Sequence, residues 1–150
     1  MRALLQRVTQ AEVRVDGSPV AAIGRGLAIL LGVGRGDREA VADALARRVA
    51  EMRIFEDPAG RTNRSLLDVE GEALVVSQFT LYADTSRGRR PGFTAAAEPL
   101  IAERLYERFS DGLRAAGVRR VAIGRFGAIM ALKLVNDGPF TIWLDSAERG

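Results

Sequence analysis

The sequence predicts a single α+β domain in which a mixed sheet packs against two helices. Three observations lead to this prediction. The chain has 150 residues, which is the size of one domain. Residues 26–33 are nearly all apolar and residues 72–83 are rich in valine and aromatic side chains, as in strands buried on both faces. Two further segments carry apolar residues at helical spacing, and 47% hydrophobic residues are enough for one core.

The N-terminal third predicts a hairpin, a buried strand and a helix. Residues 2–15 alternate loosely between apolar and polar side chains and favour a strand. Asp16-Gly17 is a strong hairpin signal, and residues 19–23 continue as the return strand. Asp37 is a typical helix N-cap. The first helix, predicted over residues 38–53, has one apolar stripe formed by Val41, Leu45, Val49 and Met52.

The remaining chain predicts a turn, a second helix and three closing strands. Asp57-Pro58-Ala59-Gly60 is a turn, and residues 61–71 are irregular. Residues 84–93 form a polar loop rich in Arg and Gly, after which Thr94 is a candidate helix cap and Gly117 a terminator. The stripe of this second helix consists of Leu100, Leu105, Phe109 and Leu113. The closing strands are predicted at residues 118–125, 128–135 and 140–144, with Asn136-Asp137-Gly138-Pro139 between the last two.

Two absences restrict the chemistry. The chain has no cysteine, which excludes disulfides, thiolate metal sites and thiol nucleophiles. It has no histidine either, which excludes Ser-His-Asp catalysis, His-ligated zinc and the commonest general base near neutral pH. Catalysis must therefore rely on hydroxyls, carboxylates, the single lysine Lys133, backbone amides or the substrate itself. We expect no cofactor and no metal.

The charge of the chain is compatible with a nucleic-acid partner, and the lack of a targeting signal predicts a cytoplasmic protein. The net charge is +3, and all 22 basic residues except Lys133 are arginines. Arginine suits phosphate binding, although the base composition of the genome explains the arginines at least as well. No stretch approaches the roughly 20 apolar residues of a membrane helix, and residues 1–7 do not resemble a signal peptide.

The glycine-rich segment Gly32-Val33-Gly34-Arg35-Gly36 is weak evidence for a nucleotide site. Asp37 occupies the position where a dinucleotide-binding motif needs its third glycine, and no Gly-Lys-Ser/Thr follows. A tight turn between strand and helix explains these glycines better. The carboxylate pairs Glu56/Asp57 and Glu70/Glu72 flank turns and are expected to be solvated.

The segment Ser77-Gln78-Phe79-Thr80 interrupts a predicted buried strand with three polar side chains. Strand alternation would place Ser77 and Phe79 on one face and the other two on the opposite face. A buried polar group without a partner costs about 1–3 kcal/mol, so these groups need either local partners or a ligand. The residues alone leave these two alternatives open.

At this segment the sequence resembles the D-aminoacyl-tRNA (D-tyrosyl-tRNA) deacylase family. The run from Ser77 to Leu81 is followed by Ala83-Asp84-Thr85 and Arg87-Gly88-x-Arg90-Pro91. A second motif, Leu134-Val135-Asn136-Asp137-Gly138-Pro139-Phe140-Thr141, resembles the Gly-Pro signature of the same family. The opening Leu5-Gln6-Arg7-Val8 also matches, and the similarity covers essentially the whole chain.

The resemblance implies a fold, a partner and a site. The fold would be one compact, barrel-like domain over residues 1–150 that forms a homodimer with its active sites at the interface. The catalytic residues would be Ser77, Gln78, Phe79 and Thr80, in a pocket for the 3′-terminal adenosine of aminoacyl-tRNA and its amino acid. Gly138-Pro139, joined by a cis bond, would reach in from the other subunit and reject L-amino acids, with Arg7 supporting this motif. Arg87, Arg89 and Arg90 are candidate tRNA contacts.

The implied mechanism works without histidine. An aminoacyl ester is already activated and the adjacent ribose hydroxyl can assist, so the protein must mainly position the ester and stabilise the oxyanion through a backbone N–H near Phe79 or Thr80. Thr80 as a nucleophile is the less favoured alternative, because no histidine can activate it. A non-catalytic RNA-binding module is another alternative. We expect D-aminoacyl and glycyl esters to be cleaved, and neither a membrane nor DNA to be a partner.

Overall fold

The computed structural model describes residues 1–148. Two α-helices, α1 (Glu39–Glu51) and α2 (Pro99–Ala115), accompany eight strands. The strands are β1 (Arg2–Val15), β2 (Ser18–Ile23), β3 (Gly26–Gly32), β4 (Phe55–Glu56), β5 (Thr62–Arg64), β6 (Glu72–Ser77), β7 (Arg120–Ile123) and β8 (Ala131–Asp145). A 3₁₀ turn over Phe79–Tyr82, called the 79–82 turn below, follows β6 directly.

The main sheet is built around β1. One edge of β1 pairs antiparallel with β2 and β3, and the other edge pairs antiparallel with β8 along almost its whole length. Beyond β3 the sheet continues with parallel β6 and then parallel β7. The order across the sheet is therefore β8-β1-β3-β6-β7. β2 lies on the same edge of β1 as β3 and pairs with the C-terminal part of β1. This arrangement confirms the predicted mixed sheet.

The sheet separates two apolar clusters. The larger one lies between the sheet and the paired helices, and its largest buried side chains include Tyr106, Phe55 and Phe109. The smaller one lies within the curve of the sheet and consists of Val8, Ala11, Val13, Ile23, Ala28, Leu74 and Val76. The curved sheet with this inner cluster gives the near-barrel shape that the resemblance implied. Within residues 1–148, no helix is both long and apolar enough to cross a membrane.

Local signals predicted the turns correctly. Asp16 and Gly17 both adopt positive φ, as a tight hairpin between β1 and β2 requires. Asp57 accepts hydrogen bonds from the amides of Ala59 and Arg61, which closes the predicted turn. Gly117 follows α2 with φ of 104°, a conformation that terminates helices.

The predicted cap of α1 is wrong. The helix begins at Glu39, one residue after Arg38, and the Asp37 side chain does not cap it. Instead the Asp37 carboxylate accepts hydrogen bonds from the amide of Gly34 at 2.7 Å and from the N-terminal ammonium of Met1 at 2.8 Å. A full positive charge is a stronger partner for this carboxylate than the helix amides.

The predicted strand over residues 72–83 is too long. It ends at Ser77, because Gln78 donates the last sheet hydrogen bond to Leu31 and the chain then tightens into the 79–82 turn. The predicted alternation of faces beyond Ser77 is therefore wrong, and Phe79 is 55% exposed. Three other predictions also differ from the structure. Residues 62–64, predicted to be irregular, form the short β5, and the predicted strand 118–125 covers only residues 120–123. Residues 131–145 form one continuous strand, β8, instead of the two predicted strands.

The second helix starts four residues later than a cap at Thr94 would place it. Residues 94 and 95 instead form a turn, in which Ala96 N donates to the Phe93 carbonyl. The segment is tied to residues 33–35, because Arg35 N donates to the Ala95 carbonyl and Ala97 N donates to the Val33 carbonyl. Pro99 then begins α2, as proline favours the first helical position. The first member of the predicted stripe, Leu100, is consequently 82% exposed, while the other three are buried.

Candidate functional site

A cavity of about 720 Å³ opens beside the end of β6. This volume is in the range of sites that bind small molecules. Ser77, Gln78 and Phe79 line one wall, and Thr80 lies beyond it. The segment from Phe93 to Pro99 supplies a second wall, and residues 126–130 supply a third. Three of the four predicted catalytic residues therefore lie on the cavity.

The 79–82 turn presents two unused backbone donors. Leu81 N donates to the Gln78 carbonyl at 3.3 Å, and Ala83 N donates to the Thr80 carbonyl at 3.0 Å. The N–H groups of Phe79 and Thr80 donate to no other residue within 1–148. Consecutive N–H groups of this kind suit an oxyanion, since they stabilise negative charge without a titratable side chain.

Two glycines of the 32–36 segment allow the turn to lie close to β3. A Cβ on Gly32 would lie 3.1 Å from the Gln78 carbonyl oxygen, and a Cβ on Gly34 would lie 2.6 Å from the Tyr82 ring. Close packing against the 79–82 turn therefore explains Gly32 and Gly34. The tight strand-to-helix turn predicted from the sequence is a second reason for glycine in this segment.

Tyr82 is a structural residue of the turn rather than a base. Burial raises the pKa of its hydroxyl well above the ordinary value, and the nearby carboxylates of Asp37 and Asp145 add to this effect. The hydroxyl therefore stays protonated at neutral pH. Its ring packs against Gly34 and under the guanidinium of Arg2.

Among residues 1–148, no base forms a hydrogen bond with the hydroxyl of Thr80. Thr80 Oγ1 accepts a hydrogen bond from the side-chain amide of Gln78. An amide N–H can orient a hydroxyl but cannot remove its proton. Lys133, the single side-chain amine, lies on β8 and faces solvent, as predicted. The arrangement favours catalysis by the backbone over a threonine nucleophile.

The second motif forms a bulge in the middle of β8. The Gly138–Pro139 peptide bond is cis, and both residues are exposed. Arg7 lies beneath this bulge with only 6% exposure. Its guanidinium donates to the carbonyls of Asp137 and Ile54 at 2.9 and 2.8 Å and lies 4.6 Å from the centre of the Phe140 ring.

The two motifs do not meet within one chain. The bulge lies opposite Arg7 on β1, and Arg7 pairs with Leu27 on β3. Leu27 in turn pairs with Ala73, four residues before Ser77. The three strand spacings between β8 and β6 span about 14 Å, and the four residues along β6 add about 13 Å at right angles. Neither Gly138 nor Pro139 lines the cavity.

The arginine-rich loop is closed at its base and free at its tip. Asp84 and Gly92 exchange two backbone hydrogen bonds of 2.7 and 2.9 Å. Phe93, the next residue, packs edge-on against Phe79 with ring centres 5.0 Å apart. The side chains of Arg87, Arg89 and Arg90 are exposed and form no hydrogen bond or ion pair with the part of the chain that the structure describes.

The sequence of one known family matches almost the whole chain. The profile described as D-Tyr-tRNA(Tyr) deacylase matches residues 4–145. The chain belongs to this family. A protein of Roseiflexus castenholzii named D-aminoacyl-tRNA deacylase is 63% identical over 98% of this chain and 93% of its own. Another of that name, from Thermomicrobium roseum, is 61% identical over 99% of this chain and 96% of its own.

Solved structures share the fold. One described as c-Myc DNA Unwinding Element Binding Protein is 39% identical, covers 97% of this chain and 98% of its own, and gives a TM-score of 0.91. One described as a probable eukaryotic D-amino acid tRNA deacylase is 23% identical, with coverage of 95% and 97% and a TM-score of 0.79. The second likeness concerns the fold alone.

Sequence reasoning missed much of the cavity of this deacylase-family chain. Phe126, Met130 and Leu132 line it together with Ala102 of α2. These side chains are apolar and carry no signal that distinguishes a cavity wall from a core position. The exposure of Ile129 at 95% is visible only in the structure, because the sequence predicted a strand there.

Proposed function

We propose that this chain hydrolyses the ester bond between a D-amino acid and the 3′-terminal adenosine of tRNA, releasing free D-amino acid and tRNA. The observation that carries the proposal is the pair of unused N–H donors at Phe79 and Thr80 beside a cavity of suitable size, in a chain that belongs to a deacylase family. The site of action is the cytoplasm, where aminoacyl-tRNA is used.

The reaction needs little acid–base help from the protein. Water attacks the carbonyl carbon of the ester, and the negative charge that develops on the carbonyl oxygen is stabilised by the two N–H groups. The bond to the ribose oxygen then breaks, and this oxygen takes up the proton that the attacking water gives up. The neighbouring ribose hydroxyl lies close enough to assist this transfer. Positioning and oxyanion stabilisation supply the rate enhancement.

Thr80→Ala should retain kcat within about tenfold of the wild type, because the hydroxyl neither attacks nor has a base to activate it. The measurement is steady-state deacylation of saturating D-Tyr-tRNA. A fall of about 10⁴-fold with unchanged binding would instead identify Thr80 as the nucleophile. Thr9→Ala, an exposed threonine on β1 outside the cavity, is the matched control.

The functional unit is a homodimer in which the Gly138-Pro139 bulge of each subunit completes the cavity of the other. Support comes from the separation of the two motifs within one chain. Further support comes from the outer face of β8, which exposes Val135 by 47% and Trp143 by 45%. A two-fold pairing of this face would bury both side chains and would place each bulge against the other subunit.

Chirality is selected by exclusion at the bulge. The carbonyl oxygens of Gly138 and Pro139 would lie against the α-carbon of the bound amino acid. The space beside an oxygen there would fit the α-hydrogen but not a side chain. An L-residue would direct its side chain into this oxygen, whereas a D-residue would direct it outward. Glycine, which has no side chain, should be cleaved as well.

Arg87, Arg89 and Arg90 bind phosphates of the tRNA acceptor end. Replacing all three with alanine should raise KM about tenfold while leaving kcat nearly unchanged. The slope of log KM against log salt should become shallower by about 2–3, because each phosphate contact contributes roughly 0.7–0.9 to it. The matched control is Arg47→Ala/Arg48→Ala, two exposed arginines of α1. Identical salt slopes for the loop variant and the wild type would exclude the loop from phosphate binding.

A nucleic-acid-binding protein without catalytic activity is the second candidate. The solved structure with 39% identity is described as binding a DNA element, and the exposed arginines of this chain are compatible with such a partner. Turnover separates the candidates. A hydrolase releases D-tyrosine from an excess of D-Tyr-tRNA, whereas a pure binder protects the ester in proportion to its own concentration.

A further inference from the structure

The Arg2 side chain joins the 79–82 turn to the end of β8. Its Nη1 donates to the carbonyl of Leu81 at 2.8 Å, and its Nε donates to Asp145 Oδ2 at 2.9 Å. The guanidinium also lies 4.4 Å from the centre of the Tyr82 ring and 5.7 Å from that of Trp143. Arg2 therefore contacts two consecutive residues of the turn, through a hydrogen bond and through a cation–π interaction.

Asp145 fixes the direction of this guanidinium. Burial opposes ionisation of the Asp145 carboxyl, but hydrogen bonds from the Ala147 amide and from Arg2 outweigh burial and hold its pKa below the ordinary value. The carboxylate is therefore charged at neutral pH. Arg2 and Asp145 are also direct partners in the β1–β8 ladder, so both side chains start from fixed backbone positions.

Few hydrogen bonds join the turn to the rest of the described chain. The bonds from Leu81 N to the Gln78 carbonyl and from Ala83 N to the Thr80 carbonyl are local, and the last bond to the sheet is made by Gln78, before the turn begins. Phe79 and Thr80 are exposed. At its far end Tyr82 packs against Gly34, and its hydroxyl donates to Asp37 Oδ2 at 3.5 Å. The hydrogen bond from Arg2 to Leu81 is the side-chain tie that holds the backbone at this end of the turn.

We propose that Arg2 is a positioning residue, which holds the 79–82 turn so that the N–H groups of Phe79 and Thr80 meet the developing oxyanion. The inference rests on the proposed ester hydrolysis. Arg2 does not touch the substrate, because it does not line the cavity. Its contribution acts through the placement of the donors, and a displacement of about 1 Å is enough to lower a rate about 100-fold.

The test compares Arg2→Gln with Arg14→Gln. Arg14 is a matched control on the same strand, since it also pairs with a carboxylate, that of Glu12, and donates to a backbone carbonyl, that of Gly17 at 2.9 Å. Steady-state deacylation of D-Tyr-tRNA gives kcat, and binding of an analogue in which an amide replaces the ester gives Kd. The ¹⁵N shifts of the Phe79 and Thr80 amides report on the turn without any activity.

Arg2→Gln should lower kcat about 10- to 100-fold, change Kd less than threefold and shift both amide resonances. Arg2→Lys, which can satisfy only one of the two acceptors well, should fall between Arg2→Gln and the wild type. Arg14→Gln should leave all three measurements unchanged. An active wild type with an unchanged kcat in Arg2→Gln would overturn this inference alone, as would an equal loss in Arg14→Gln. A wild type that leaves D-Tyr-tRNA intact would overturn the proposed function and this inference together.

Discussion

Val135→Asp should convert the protein into a monomer and lower kcat/KM on D-Tyr-tRNA by about 100-fold or more. Val135 is half-exposed on the outer face of β8, close in sequence to the Gly138-Pro139 bulge. In a two-fold interface the substitution would place two carboxylates in an apolar contact, and an unpaired buried charge is strongly destabilising. Sedimentation velocity gives the mass, and deacylation in the same buffer gives the activity.

The control for this prediction is Ile123→Asp. Ile123 is an exposed apolar residue on β7, the strand at the opposite edge of the sheet from β8. This variant should remain dimeric and active. Raising the concentration of Val135→Asp should restore part of its activity, since mass action favours the dimer. A monomer with full activity per chain would contradict the shared site.

Gly138→Ala should lower the preference for D-Tyr-tRNA over L-Tyr-tRNA by at least tenfold. Gly138 has φ of +143°, which side-chain-bearing residues rarely adopt. A Cβ there would lie 2.9 Å from the Phe140 nitrogen and 3.3 Å from Arg7 Nη2. The bulge must therefore move, and its carbonyls move with it. The measurement is the ratio of the single-turnover rates on the two esters, with Gly-tRNA as a third substrate.

The control for the bulge is Gly24→Ala. Gly24 lies outside the site, its φ is not positive, and a Cβ added there would meet no atom within 4 Å among the described residues. The D/L ratio of this variant should equal that of the wild type. An unchanged ratio in a folded, dimeric Gly138→Ala variant would show that the bulge is not the chiral filter.

The fold was predictable wherever a local signal had no distant competitor. Asp16-Gly17 and Gly117 act through their own backbone conformations, and both stand where the sequence predicted. Asp37 and Thr94 were wrong as helix caps because distant partners decide those regions. Asp37 binds the N-terminal ammonium, and the residues after Thr94 pair with the segment 33–35. Such partners are not encoded in the local pattern.

The candidate site shows a similar division. Polar residues within an apolar segment indicated a candidate site at Ser77-Gln78-Phe79-Thr80, and three of these residues line the cavity. The pattern of side chains did not predict the 79–82 turn, because the position of backbone N–H groups cannot be inferred from side-chain composition. The unused amides of this turn carry the proposed chemistry. Arg2 was missed for a related reason, since its partners lie 79 and 143 residues away along the chain.

The central claim is that this chain hydrolyses D-aminoacyl esters of tRNA and spares the L-forms. The most direct measurement is deacylation of matched D-Tyr-tRNA and L-Tyr-tRNA by catalytic amounts of the wild-type protein, with release of free tyrosine followed over time. We predict many turnovers on the D-ester and a rate on the L-ester no higher than spontaneous hydrolysis. Equal rates on both esters, or protection of the D-ester, would contradict the account.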